Sequence, residues 1–148
     1  MSTLSRLSLE ENRELQRQMH ATNIMRVHAT YQVHNVVGAY LAAARQGEGI
    51  PDDFEILPSA QERAWNDVFS FLLRLDGCSS KLVYELEKRE YQTNCLLGHE
   101  LWFYRVGFAG FSKENWGLLH ALILGSRADH LGAVHIYRDD ANYTFDIY

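Results

Sequence analysis

Polar positions crowd the start of the chain, apolar residues at helical spacing fill its middle, and strict alternation appears only near its end. Ser8 opens S-L-E-E, the capping-box pattern in which a serine accepts from the backbone N–H of Glu11. From there to about Arg45 there is no proline and a single glycine, Gly38, so one long helix or two abutting ones are expected. Its halves differ. Residues 9–23 are mostly Glu, Arg, Gln and Asn, with Leu9, Leu15 and Met19 as a sparse apolar line. Residues 24–44 carry Ile24, Val27, Tyr31, Val36, Val37, Tyr40 and Leu41 on more than one face and read as buried. Residues 8–23 therefore read as an exposed helical arm, and residues 1–7 as a frayed end.

Glycine, proline and aspartate between Gln46 and Pro58 mark a surface loop. Ser59 and Glu62 repeat the capping pattern for a second helix, whose stripe is Trp65, Val68, Phe69, Leu72 and Leu75, with Gly77 at its C-terminal cap. Residues 80–95 carry mixed signals: Glu85 and Arg89 form an i,i+4 pair, whereas Leu82, Tyr84 and Leu86 alternate. Helix is the reading taken. After Gly98, the run Leu101–Phe108 is dense in aromatic and β-branched residues and predicts a strand. Ser112 is expected to cap a short helix running through Leu124 and stopped by Gly125.

The segments 133–138 and 143–148, flanking Asp139-Asp140-Ala141-Asn142, predict a β-hairpin. With the turn centred on Asp140-Ala141, Ile136 faces Phe145 and His135 faces Asp146. Helices first and strands last define an α+β fold, in which N-terminal helices pack on a small, mostly antiparallel C-terminal sheet. The 148 residues are the size of one domain, with no repeat or linker in view.

Charge and composition narrow the function classes. The net charge of −5 and the lack of a basic run disfavour nucleic acid as a partner. The N-terminal residues hold no apolar core of signal-peptide length, and the Leu118–Leu124 stretch is too short to span a bilayer. Cys78 and Cys95 form no C-x-x-C and read as free thiols in a reducing compartment. A cytoplasmic protein without a membrane anchor is expected.

Candidate chemistry is thin. None of the seven histidines makes an H-E-x-x-H or an i,i+4 pair, so neither a metal nor a cofactor is expected. No G-x-S-x-G marks a nucleophile. Gly107-Phe-Ala-Gly110 lacks the basic surroundings of a phosphate clamp and reads as a turn. Asn115-Trp116-Gly117 is similar to a tripeptide common in Bcl-2-like proteins, but a C-terminal hairpin does not belong to that all-helical bundle. The aromatic group Trp102, Phe103, Tyr104, Phe108 and Phe111 suits a stacking platform, yet only Arg105 lies near it, and core packing is the reading taken.

The most concrete polar group is on the hairpin, where His135, Asp146 and Tyr137, joined by Glu100, would suit a ligand site or a general base and its orienting carboxylate. Cross-strand satisfaction of an exposed face explains the same residues. The functional expectation is a protein-binding module of inhibitor, immunity or accessory type. It would meet a protein partner or a second copy of itself through Leu9, Leu15 and Met19. The rivals are a small enzyme or ligand-binding domain at the polar sheet face, and a structural subunit of a larger assembly.

Overall fold

The computed structural model describes residues 8–76 and 90–148. Expectations for residues 1–7, for Gly77 and Cys78, and for residues 80–89 fall outside these. The order is α1 (Leu9–Thr30), α2 (Val33–Gly47), β1 (Glu55–Ile56), α3 (Pro58–Asp76), α4 (Glu90–Arg105), α5 (Lys113–Trp116), α6 (Leu118–Ala128), β2 (Ile136–Asp139) and β3 (Thr144–Ile147). A 3-10 turn over Asp129–Leu131 follows α6. The fold is α+β, with the small sheet near the C-terminus, as the pattern predicts.

The first predicted helix is two. Ser8 Oγ accepts from Glu11 N at 3.1 Å, satisfying one of the free N–H groups at the start of α1. Tyr31 and Gln32 then leave helical geometry, and Asn94 Oδ1 accepts from Gln32 N at 3.1 Å, which meets the backbone donor exposed by the break. Beyond the break, Val33, Val36, Val37, Tyr40, Ala43 and Ala44 are buried.

Leu101–Phe108 is not a strand. Its first five residues finish α4, and the chain turns only at Val106. Leu97, Leu101 and Trp102 fall on one side of that helix and are buried. Gly98, which reads as a boundary in the sequence, is where α4 lies against α2. A Cβ there would stand 2.1 Å from the Val36 carbonyl oxygen. The glycine permits the crossing, and aromatic density here reflects core packing rather than pleated geometry.

Gly125 is a second misread boundary. The helix expected from Ser112 to Leu124 is broken earlier, at Gly117, whose φ of 84° suits only glycine, and α6 continues through Gly125 to Ala128. A Cβ on Gly125 would lie 3.3 Å from the Tyr104 ring. Ser112 does cap α5, accepting from Asn115 N.

Helix α3 opens with Pro58 at its first turn, so Ser59 is not its cap. Its buried face comprises Ala60, Ala64, Val68, Phe71, Leu72 and Leu75, which rotates the predicted stripe and leaves Trp65 partly exposed.

The sheet has strand order β1-β3-β2. The hairpin forms, with Ile136 opposite Ile147, Tyr137 opposite Asp146 and Arg138 opposite Phe145. This register is two residues from the predicted one. The turn holds four residues, 140–143, and Asp139 Oδ1 accepts from Ala141 N at 3.1 Å and Asn142 N at 3.2 Å. A shift of two preserves each residue's face, so Val134, Phe145 and Ile147 are still buried. The expected loop before α3 contributes β1, parallel to β3, with Glu55 N donating to Tyr143 O at 2.7 Å. The sheet is therefore mixed.

Candidate functional site

Every residue from Ser8 to Ala21 is exposed, although all but Ser8 are helical. Leu9 is 68% exposed, Leu15 44% and Met19 58%. Among the described side chains of α1, the first in the core is Val27. On a helical projection Leu15 and Met19 share a face one turn apart, flanked by Asn12 and Gln16 on one side and Glu11 on the other, while Leu9 lies beyond Gln16. The local order of the arm comes from its own ends and surface: the Ser8 cap, a Glu14–Arg17 ion pair at 2.5 Å, and continuity with the anchored second half of α1. An exposed pair of this kind contributes little. Residues 9–21 thus form a helix that places no buried residue in the core.

The polar sheet face is organised otherwise than the turn predicts. His135 lies opposite Tyr148, exchanging both backbone hydrogen bonds with it at 2.6 and 2.9 Å, and the rings are 5.9 Å apart. Asp146 lies opposite Tyr137 and accepts from Ser59 Oγ at 3.0 Å and from its neighbour Ile147 N at 2.8 Å. Its role here is to fasten the sheet to the first turn of α3. Glu100 accepts from Ser112 N at 3.0 Å and from Trp116 Nε1, holding α5 against α4. The structure does not bring His135, Asp146 and Glu100 together around one point.

The densest polar centre is one that periodicity does not announce. The Arg105 side chain, 4% exposed, ends α4 between α2, α3 and the turn after α6. Nη1 donates to Tyr40 Oη and Asp67 Oδ2, both at 2.7 Å. Nη2 donates to the carbonyls of Leu131 at 3.0 Å and Ala133 at 3.5 Å, and Nε to that of Gly132 at 3.3 Å. A guanidinium has five N–H donors, and five acceptors surround this one. Burial pushes the Tyr40 hydroxyl up to about 12, more than the facing Arg105 charge draws it down. The centre is a clamp whose groups are matched to one another, with its hydroxyl protonated at neutral pH. A smaller clamp lies nearby: Tyr104 donates to Asp129, and that hydrogen bond, with some burial, raises its hydroxyl to about 12.

His130 Nδ1 faces the Arg127 carbonyl, which leaves Nε2 to accept from Ser70 Oγ at 3.0 Å. This pair tethers the 3-10 turn to α3. Among the described residues no group of three or more His, Cys, Asp or Glu side chains converges to hold a metal ion, and Cys95 is unbonded.

Two apolar surfaces among the described residues depart from the sequence reading, which gave Phe108 to the core. Leu118, Leu119 and Leu122 project from α6 on the side away from buried Leu124 and Ala128. Their signal was the apolar run 118–124, interrupted only by His120 and too wide for one core-facing stripe. Phe108, 77% exposed, stands at the end of α4 with its ring 5.2 Å from Phe103. No described helix is long and apolar enough to cross a membrane.

No protein-family model matches the chain, and no curated protein or solved structure matches it.

Proposed function

We propose that this chain is a small, single-domain protein-binding module of inhibitor, immunity or accessory type, working in the cytoplasm. Its contact element is the helical arm, residues 9–21, which meets either a partner protein or a second copy of the chain. One observation carries the reading: a continuous helix exposes Leu9, Leu15 and Met19 along its first half while its second half enters the core at Val27. Isolated helices of about 15 residues are marginal in water, so an arm of this kind gains its full order from contacts outside the domain. Uncharged Asn12 and Gln16 on one side of Leu15 and Met19 suit burial against another protein surface, with Glu11 at the opposite edge.

The test is removal of residues 1–20. The truncated protein is expected to keep its melting temperature and to lose the concentration-dependent association, or the partner complex, that the full chain shows by sedimentation. Leu15→Glu combined with Met19→Glu reproduces the loss, whereas Arg13→Ala leaves association intact. A truncated protein that unfolds shows instead that the arm belongs to the core.

A further inference from the structure

A trough runs along one side of α4, formed by two adjoining hollows that share His99. The larger, about 870 Å³, lies between the C-terminal end of α2 and the turn at 106–110. Phe103, Phe108 and Trp102 give its apolar walls, and Glu48 and Glu100 its carboxylates. The second, about 600 Å³, continues over Leu96 and Cys95 to Gly38, Ala39 and Ala42 of α2. A Cβ on Gly38 would meet nothing within 4 Å, so the floor there is open to a close-lying backbone.

Two negative features face the larger hollow: the Glu48 carboxylate, and the C-terminal end of α2, where the helix dipole favours cations. Both Glu100 oxygens are already taken by Ser112 and Trp116. Of the basic groups next to the lining along the chain, Arg105 is held in its clamp and Arg45 is turned away. Its Nη1 donates to the carbonyls of Pro51 at 2.7 Å and Phe54 at 2.9 Å, and its guanidinium lies 4.9 Å from the Phe145 ring centre. Among the described residues lining either hollow there is no Lys or Arg. The aromatic faces beside these carboxylates are what a guanidinium stacks on.

We propose that this trough binds an extended peptide segment of a partner protein through an arginine side chain. The guanidinium lies between Glu48 and the Phe103–Phe108 pair, and the backbone continues past His99 onto the small-residue floor. Length decides for a peptide over a compact cation, because the anionic end occupies only one of two connected hollows. The arm of a second copy is helical, with Arg17 paired to Glu14, and so does not supply an extended backbone. The proposal is independent of the reading of the arm.

The test is a backbone-amide NMR titration of the full chain with the acetylated, amidated peptide Ala-Leu-Arg-Ala-Leu-Ala. The expected shifts fall on Glu48, His99, Phe103 and Phe108 and extend to Gly38 and Ala42. Glu48→Gln with Phe108→Ala, both at exposed positions, weakens binding about tenfold, and added salt weakens it further. The peptide with citrulline for arginine also binds about tenfold more weakly, and acetyl-arginine amide alone binds more weakly than the peptide. Leu15→Glu with Met19→Glu leaves the titration unchanged, which separates this outcome from the fate of the arm. No shifts in the trough, or equal binding of the citrulline peptide, overturns the proposal. Equal binding of acetyl-arginine amide overturns the peptide assignment and leaves a site for small cations.

Discussion

The arm of α1 and the seam between α2 and α4 are both built from helix, yet they stand at opposite ends of the molecule's energetics. In the seam, Gly98 lets the α4 backbone lie against Val36, and Tyr40 meets the Trp102 ring edge-on at 5.2 Å. Around it Val36, Tyr40, Leu97, Leu101 and Trp102 are buried. In the arm, fourteen consecutive residues from Ser8 to Ala21 are exposed. Helix-forming residues are present in both, and the arm even has the Ser8 side-chain cap that Gln32 does not supply to α2. What separates them is shape: the seam has a partner fitted to within van der Waals distance, and the arm is exposed along its whole length. Local sequence makes a helix possible, and a matched neighbour makes it stable.

The largest test of this contrast is Arg105→Ala. It removes the cation that ties the seam to α3 and to the 129–133 turn, and it leaves Asp67 and three carbonyls without their donor. Breaking a buried charged pair from one side costs about 4 kcal/mol, and the part-exposed Asp67 brings the expectation to about 3 kcal/mol by urea denaturation. Arg105→Lys is expected to recover less than half of this, because an ammonium cannot reach five acceptors in one plane. Loss under about 1 kcal/mol shows the clamp to be ornamental.

Gly98→Ala is next. Since the added methyl meets backbone and not a flexible side chain, α2 and α4 must separate, at about 2 kcal/mol. The same exchange at Gly38, where nothing lies within 4 Å, is expected to be neutral or slightly stabilising, since alanine is the better helix former. Equal effects at the two glycines break the account of the seam.

The alkaline limb of stability supplies a third. Folding raises the Tyr40 hydroxyl from 10.0 to about 12, so the folded state holds that proton more tightly than the unfolded chain. The stability linked to it is complete below pH 10.0 and is lost as pH rises towards about 12. The contribution is of order 2 kcal/mol, and Tyr40→Phe is expected to flatten that part of the curve while lowering stability at neutral pH through the lost Arg105 contact. An unchanged slope in the variant assigns the alkaline loss elsewhere.

Much of this was legible in the chain. The Ser8 cap, the contrast between the two halves of residues 9–44, the hairpin and the α+β order are all read from residue type and spacing. The misreadings share a cause. Gly98 and Gly125 look like punctuation because glycine usually ends elements, but each sits inside a helix, where the Val36 backbone leaves no room for a Cβ at Gly98 and the Tyr104 ring packs tightly on Gly125. That closeness is a tertiary fact, invisible to local pattern. Leu101–Arg105 misled for the same reason, since a helix packed on several sides looks as aromatic as a buried strand. The hairpin register slipped by two because the Asp139 carboxylate organises a longer turn than two central residues would make. The Arg105 clamp was beyond reach, since its acceptors come from positions 40, 67 and 131–133. The exposure of Leu9, Leu15 and Met19 needed no tertiary information, because a sparse apolar line on a polar helix already says that the core does not use it.

Amide hydrogen exchange, followed residue by residue, tests the contrast most directly. In dilute, unassociated protein the amides of residues 12–21 are expected to exchange orders of magnitude faster than those of Leu97 to Trp102, whose opening approaches global unfolding. Under conditions of association the arm amides should gain protection while those of the seam stay as they were. Arm amides as slow as the seam in the dilute protein would contradict the account, placing residues 9–21 in the cooperative core.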